Sequence, residues 1–215
     1  MAYTSLMKTT EAAKHNPARA AQILAGARIV FIEHGYYGAS VDDIAAQAQV
    51  SKATLYRYYP DKQQMFQAYI AVECQKQANQ TFTFATDTMT IEEILRATAK
   101  KFVAFLCSDF AIDIFRVICA EVRHFPDLGR DFYESGPLNA KTRLSILFCD
   151  AVAKEELIIK DTSIAAEQFA ELCKADLHLQ RVLGLKKEVT REEIDYVANK
   201  AVDVFLKAYS PTNSK

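Results

Sequence analysis

Glycine and proline are scarce, 6 and 5 in 215 residues. Sandwiches, barrels and Rossmann folds need more turn residues than this, so long helices with short joints are expected. No apolar run approaches the ~18 residues of a membrane helix. Residues 1–30 carry charges throughout and lack a continuous apolar stretch, which argues against a secretory signal. A cytoplasmic protein with no membrane partner is expected. A glycine-rich phosphate loop is missing, and with it the common nucleotide sites. CxxC is missing too. Cys74, Cys107, Cys119, Cys149 and Cys173 are odd in number and far apart, which disfavours a zinc site or a disulfide framework. Each lies among apolar residues, where a thiol acts as a small hydrophobe. His15, His34, His124 and His178 show no HxxxH spacing, and no nucleophile pattern accompanies them. No metal, no cofactor and no catalytic group is therefore expected.

What is present is an ordinary globular composition, half apolar, with 26 Lys+Arg against 27 Asp+Glu and a net charge of -1. Such a chain buries roughly 70% of its unfolded surface and needs no staple. Residues 1–65 are slightly basic: Lys8, Lys14, Arg19, Arg28, Lys52, Arg57 and Lys62 outnumber Glu11, Glu33, Asp42, Asp43 and Asp61. That balance permits a polyanionic partner without requiring one.

Periodicity divides the chain into a polar arm (1–17), a small helical domain (18–64) and a larger one (65–215). From Ala18, Ile23, Ala27, Val30 and Phe31 mark one apolar helix face, closed by His34-Gly35. Ser40 is a good N-cap, followed by Asp42 and Asp43 in the first turn. Val41, Ile44, Ala45 and Ala48 give that two-turn helix its apolar face. Gln49-Val50 breaks it, and Ser51 caps a second short helix to about Tyr58. Further helices are expected at about 62–80, 91–107, 109–125, 126–135, 138–156, 163–183 and from Thr190 to Tyr209. Thr90 with Glu93 forms a capping box, and Thr190 with Glu193 opens the last helix. Residues 109–125 are apolar nearly all round and should be central to their domain. Residues 81–90 read as a Thr-rich connection, and 210–215 as a polar tail.

Two short helices with a tight break cannot bury enough surface alone. Wedged between longer neighbours they form a helix-turn-helix whose second member can enter a major groove. On S-K-A-T-L-Y-R-Y-Y, Leu55 and Tyr59 face inward, leaving Lys52, Ala53, Thr54, Tyr56, Arg57 and Tyr58 outward. Lys52 and Arg57 suit phosphates, or Arg57 a guanine. Thr54 and Tyr56 suit thymine methyls, and Ala53 allows close approach. The hydroxyls of Ser40 and Ser51 can help hold phosphate, and Lys62 lies near the same surface.

Residues 19–66 resemble the N-terminal domain of the TetR family of one-component transcriptional regulators. The resemblance is carried by Phe31, Gly35-Tyr36, Ser40-Val41-Asp42-Asp43-Ile44-Ala45, Val50-Ser51-Lys52-Ala53-Thr54-Leu55-Tyr56, Tyr58-Tyr59, Lys62 and Met65-Phe66. It implies an all-α homodimer, with an N-terminal three-helix helix-turn-helix domain and a C-terminal helical bundle for ligand binding and dimerisation. Lys52 to Tyr58 would be the recognition helix, and Ser40 and Lys62 phosphate contacts. Gln49 departs from the glycine common in the turn. A left-handed conformation there would cost ~1 kcal/mol. Ala53 and Tyr58 stand where the family often has glycine and histidine. The later part resembles the AefR-like C-terminal regions through Glu121, Phe125-Pro126-Asp127-Leu128, Phe132-Tyr133-Glu134, Gly136-Pro137, Asp176-Leu177-His178-Leu179 and Leu183-Gly184.

An effector pocket in the larger domain would draw on Phe66, Tyr69, Phe102, Phe105, Phe115, Phe132, Tyr133 and Phe148, with Ile118; any of these can equally be plain core. Glu121 falls on the apolar line Ile114–Ile118–Glu121–Phe125, and Asp176 on Phe169–Leu172–Cys173–Asp176. Each is either a ligand anchor or half of an ion pair with Arg116, Arg123 or His178. Leu144, Leu147, Phe148 and Ala151, with Ala165, Phe169, Leu172 and Cys173, form two stripes suited to a four-helix dimer interface or to packing within one chain.

The expected function is a ligand-responsive regulator that is not an enzyme. It would be a homodimeric repressor on a palindromic double-stranded DNA operator, released by a small, largely apolar effector. A helical ligand-binding enzyme using Glu121, Asp176 or His178, and a protein-interaction module that has kept the fold, are the alternatives.

Overall fold

The computed structural model describes residues 15–81, 89–123 and 125–211. The expectations for the N-terminal arm through residue 14, for 82–88 in the Thr-rich connection, for His124 and for the tail from 212 lie outside the described residues. Every regular element among the described residues is a helix: α1 (Pro17–Gly38), α2 (Val41–Gln47), α3 (Lys52–Tyr58), α4 (Lys62–Thr81), α5 (Ile91–Leu106), α6 (Asp109–Glu121), α7 (Pro126–Ser135), α8 (Pro137–Ala153), α9 (Thr162–Val182) and α10 (Arg191–Tyr209). The chain forms two compact units, one within Met1–Gln75 and Val117–Gly136, the other within Lys76–Arg116 and Pro137–Lys215.

In the first unit, α1 starts at Asn16, whose side chain accepts from the Arg19 N–H, and Pro17 occupies the first turn, where no N–H is missed. Gly35 takes φ 67°, a conformation open to glycine at no steric cost, and breaks α1 before one further turn at Tyr36–Gly38. Ile23, Ala27, Val30 and Phe31 are buried together with Ile44 of α2, Leu55 of α3, and Met65 and Phe66 of α4. Phe66 meets the Phe31 ring edge-on at 4.9 Å and the Tyr36 ring at 4.7 Å. Gly26 lets α1 approach the turn after α2. A Cβ there would lie 2.6 Å from the Ala48 amide nitrogen.

The second unit has its own core of α5, α8, α9 and α10 side chains, including Leu95, Leu144, Phe148, Phe169, Val202 and Phe205. Phe148 lies 4.9 Å from Phe205, and Phe169 meets Phe205 edge-on at 5.1 Å. The capping boxes at Thr90/Glu93 and Thr190/Glu193 both form.

The two apolar stripes of α8 and α9 therefore serve packing within the chain, since Leu144, Phe148, Ala165, Phe169 and Cys173 are fully buried in one copy. Helix α6 ends at Glu121 rather than 125 and is not the centre of a single core. Ile112 and Ile114 are buried in the second unit, Ile118 and Glu121 in the first, and Phe115 is exposed. Helix α9 carries a break at Ala175, φ 38° and ψ -149°. Beyond it the helical phase is reset, so Leu177 is buried and Asp176 is exposed, contrary to the unbroken apolar line read from sequence.

Candidate nucleic-acid interface

Helices α2 and α3 are held by their caps. The Ser40 hydroxyl accepts from the Asp43 N–H at 3.0 Å and donates to the Asp43 carboxylate at 2.6 Å. Ser51 accepts from the Thr54 N–H at 3.1 Å, and the two hydroxyls lie 2.9 Å apart. The turn between them runs through Gln49 in the left-handed region, φ 52°, where an L side chain is strained. It is anchored from α1 by the Gln22 side-chain amide, which donates to the Ala48 carbonyl at 2.7 Å.

With its back buried, α3 presents a short exposed row. Ser51, Lys52, Ala53, Tyr56 and Arg57 are exposed and Thr54 is half-buried. Tyr58 corrects the sequence reading: it is 4% exposed, not outward. It lies three residues after Leu55, on the same helix face, and both point into the core with Tyr59. Its ring centre lies 5.6 Å from the Arg57 guanidinium, within cation–π range. Burial also pushes the Tyr59 phenol up to about 12, so it stays neutral.

Lys62 is bound more tightly than a free phosphate ligand. Its ammonium donates to the Tyr36 carbonyl at 2.9 Å and the Ala39 carbonyl at 3.1 Å, and lies 4.7 Å from the Tyr36 ring centre. Desolvation lowers its pKa. The lysine thus ties the start of α4 to the end of α1. Lys52 makes an ion pair with Asp42 at 2.6 Å, across from α3 to α2, which raises the lysine pKa. This pairing escapes sequence reading because Asp42 looks like a first-turn dipole residue; only the turn geometry brings it to Lys52. Tyr37 is 68% exposed, with its ring edge-on to Tyr36.

The residues expected around an effector divide between the units. Phe66 and Tyr69 are core of the first unit, Phe66 edge-on to Phe31 and Tyr69 stacked on it. Ile118 and Glu121 are buried there too, and Phe132 is half-buried. Phe102 and Phe148 are core of the second unit, and Phe115 is exposed with an edge contact to His178 at 5.9 Å. Asp176 accepts from Gln180 on its own helix. Arg116 and His178 do not neutralise the carboxylates. Arg116 holds the Val182 and Arg181 carbonyls at the end of α9, and His178 meets the Leu106 carbonyl. Glu121 instead sits close enough to Tyr36 to help raise that phenol's pKa, after burial itself. Of the expected set, Phe105 borders a cleft of about 440 Å³ in the second unit, with Gln77, Gln80, Thr81, Lys101, Ala104 and Ser108. Among the described residues, no group of three or more His, Cys, Asp or Glu is placed to hold a metal ion. No helix among them is long and apolar enough to cross a membrane.

Residues 23–69 match the family described as bacterial regulatory proteins of the tetR family. Residues 93–211, more than half of the chain, match the AefR-like transcriptional repressor C-terminal domain. A solved TetR-family regulator from Mesorhizobium loti covers 94% of this chain and 99% of its own at 22% identity, with a TM-score of 0.83. The flavonoid-responsive regulator FrrA is 33% identical, covering 91% of this chain and 98% of its own, with a TM-score of 0.72. The HTH-type transcriptional activator FasR of Mycolicibacterium smegmatis is 30% identical over 91 residues, so this chain spans 42% of that relative's length and 42% of its own. A helix-turn-helix with an exposed α3 row, joined to a helical C-terminal region of matching fold, places this chain in the TetR family of transcriptional regulators, DNA-binding proteins rather than enzymes.

Proposed function

We propose that the protein is a homodimeric, ligand-responsive repressor whose α3 enters the major groove of a palindromic operator. The observation that carries this is the division of α3: Leu55 and Tyr58 fix its back, while Lys52, Ala53, Tyr56 and Arg57 stand exposed in front. Lys52 and Arg57 contact phosphate or guanine, Tyr56 and Thr54 touch base edges, and Ser40, Ser51 and Lys62 border the backbone. The reading as a repressor draws on the AefR-like repressor match.

The dimer face we assign is the outer side of α8 and α9. Ile146 is 58% exposed and Ile164 47% exposed, opposite the stripes used by the core. Two copies joined there carry two α3 helices to half-sites one DNA turn or more apart.

The effector we propose is amphipathic. The cleft by Phe105 and Ala104 offers an apolar floor with the amides, hydroxyls and ammonium of Gln77, Gln80, Thr81, Ser108 and Lys101 around it. The name of the flavonoid-responsive relative supports an aromatic, hydroxylated compound. Such a ligand releases DNA only if it binds the DNA-free form more tightly than the bound one.

The test is a mobility shift with the duplex upstream of the protein's own gene. The wild type shifts the fragment, and a flavonoid reverses the shift. K52A/R57A loses the shift while circular dichroism and sedimentation remain those of the wild type. An unaltered shift in the double variant would refute the role given to α3.

A further inference from the structure

Two adjacent acids open α2, and the structure gives them different partners. Asp43 closes onto the Ser40 hydroxyl at 2.6 Å within its own cap. Asp42 has no part in that cap. Its carboxylate reaches the Lys52 ammonium at 2.6 Å on the next helix. Both side chains are open to solvent, Asp42 at 70% and Lys52 at 53%. An ion pair this exposed adds little to folding, because water screens it and two long side chains must be held still. Its position matters more than its strength. Lys52 belongs to the exposed α3 row, so the pair lies where a duplex would lie.

We propose that Asp42 determines specificity by tethering Lys52, withholding that cation from phosphates that the protein meets out of register. This rests on the DNA-binding reading above. A free lysine on four methylenes serves any phosphate within reach, in any register, and so strengthens every loose complex alike. A tethered one occupies a single place. It gains a phosphate only when α3 is seated so that the phosphate comes to that place, with the ammonium shared between the phosphate and Asp42. Asp42 is thus a positioning residue that acts through Lys52.

The experiment is fluorescence anisotropy of the full-length protein against a random-sequence duplex and the upstream fragment, over a range of salt. The proteins compared are wild type, D42N, D42S, K52Q and D42N/K52Q. Removing the carboxylate is expected to raise affinity for the random duplex roughly threefold per subunit, the strength of an exposed ion pair. The slope of log affinity against log salt should steepen by about 0.9 per freed lysine. Affinity for the upstream fragment should gain less, so the ratio between the two duplexes falls. In the K52Q background, D42N should change neither affinity nor slope.

An unchanged or weakened random-duplex affinity in both D42N and D42S would overturn the tether, and so would a gain that persists without Lys52, which is simple repulsion of phosphate by Asp42. If the wild type binds neither duplex, the DNA-binding reading falls and the tether with it. If the wild type binds and the Asp42 variants match it, the tether alone falls.

Discussion

Gln49 and Ala175 are strained for the same reason. Each has positive φ, 52° and 38°, where the Cβ of an L residue crowds its own backbone. Gln49→Gly should stabilise the fold by about 1 kcal/mol, read as a rise in the urea midpoint. A lower midpoint would mean that the unfolded-state entropy of glycine outweighs the strain relieved. The Gln49 strain was legible, since a turn of this kind usually has glycine there. The Ala175 break was not: neither glycine nor proline marks it, and its consequence is the exposure of Asp176. Cysteines divide at the same scale. Cys74, Cys107 and Cys173 are buried, whereas Cys119 and Cys149 are exposed, against the uniform burial read from their neighbours. Burial pushes the Cys74 thiol to about 11 and Cys173 to about 12. In the native protein at pH 8, a thiol reagent should therefore modify Cys119 quickly and Cys74, Cys107 and Cys173 only on unfolding. Cys149, three residues from Ile146 on the proposed dimer face, should react faster in the I146E/I164E variant than in the wild type. Rapid modification of Cys173 would contradict the packing of α9.

Among the elements, the helix starts were the most readable, because a cap is a local property. Ser40, Ser51, Thr90 and Thr190 all cap as their sequence positions indicate. What a helix packs against was less readable. Seven residues of α3 do not define a periodicity, so the burial of Tyr58 was missed, although its spacing of three from Leu55 was there to be used. The approach of α1 to the turn after α2 depends on Gly26. Gly26→Ala gains roughly 1 kcal/mol of helix propensity but drives a Cβ against the backbone of Ala48. That backbone cannot move as a side-chain tip can, so a net loss of about 1–3 kcal/mol is expected, measured as a lower melting temperature. The caps also set an acid limit. Glu93 is held below its ordinary pKa by hydrogen bonds from Thr90, and Glu193 by Lys186 and Thr190. A carboxyl depressed in the fold contributes stability that is present above its unfolded value near 4.3 and is lost as pH falls through the lower folded value. Thermal unfolding between pH 5 and 3 should show this loss, reduced in E93Q/E193Q. An equal acid sensitivity in that variant would assign it to other carboxylates.

For the molecule as a whole, the all-helical class and the helix-turn-helix were readable from glycine scarcity, caps and the dense motif around Ser40–Tyr59. The effector residues were not, because an aromatic on an apolar stripe does not reveal which core receives it. Phe66 and Tyr69 entered the first unit, and Phe148 closed the centre of the second. The stripes of α8 and α9 were readable as apolar but not as to their use, since a dimer interface and packing within one chain ask for the same pattern. They pack within the chain, and the dimer face proposed above is the outer side. Ile146→Glu with Ile164→Glu should convert a dimer to a folded monomer in sedimentation equilibrium and abolish high-affinity DNA binding. Dimers persisting in that variant would place the interface elsewhere.

The most direct measurement is methylation interference on a duplex selected by the protein from a random pool. Methyl groups on guanine N7 lie in the major groove, which α3 is proposed to enter. Binding should be lost when N7 is methylated within two half-sites, with R57A losing its sensitivity at one guanine of each. Binding indifferent to N7 methylation, or blocked solely by methylation of adenine N3 in the minor groove, would contradict the placement of α3.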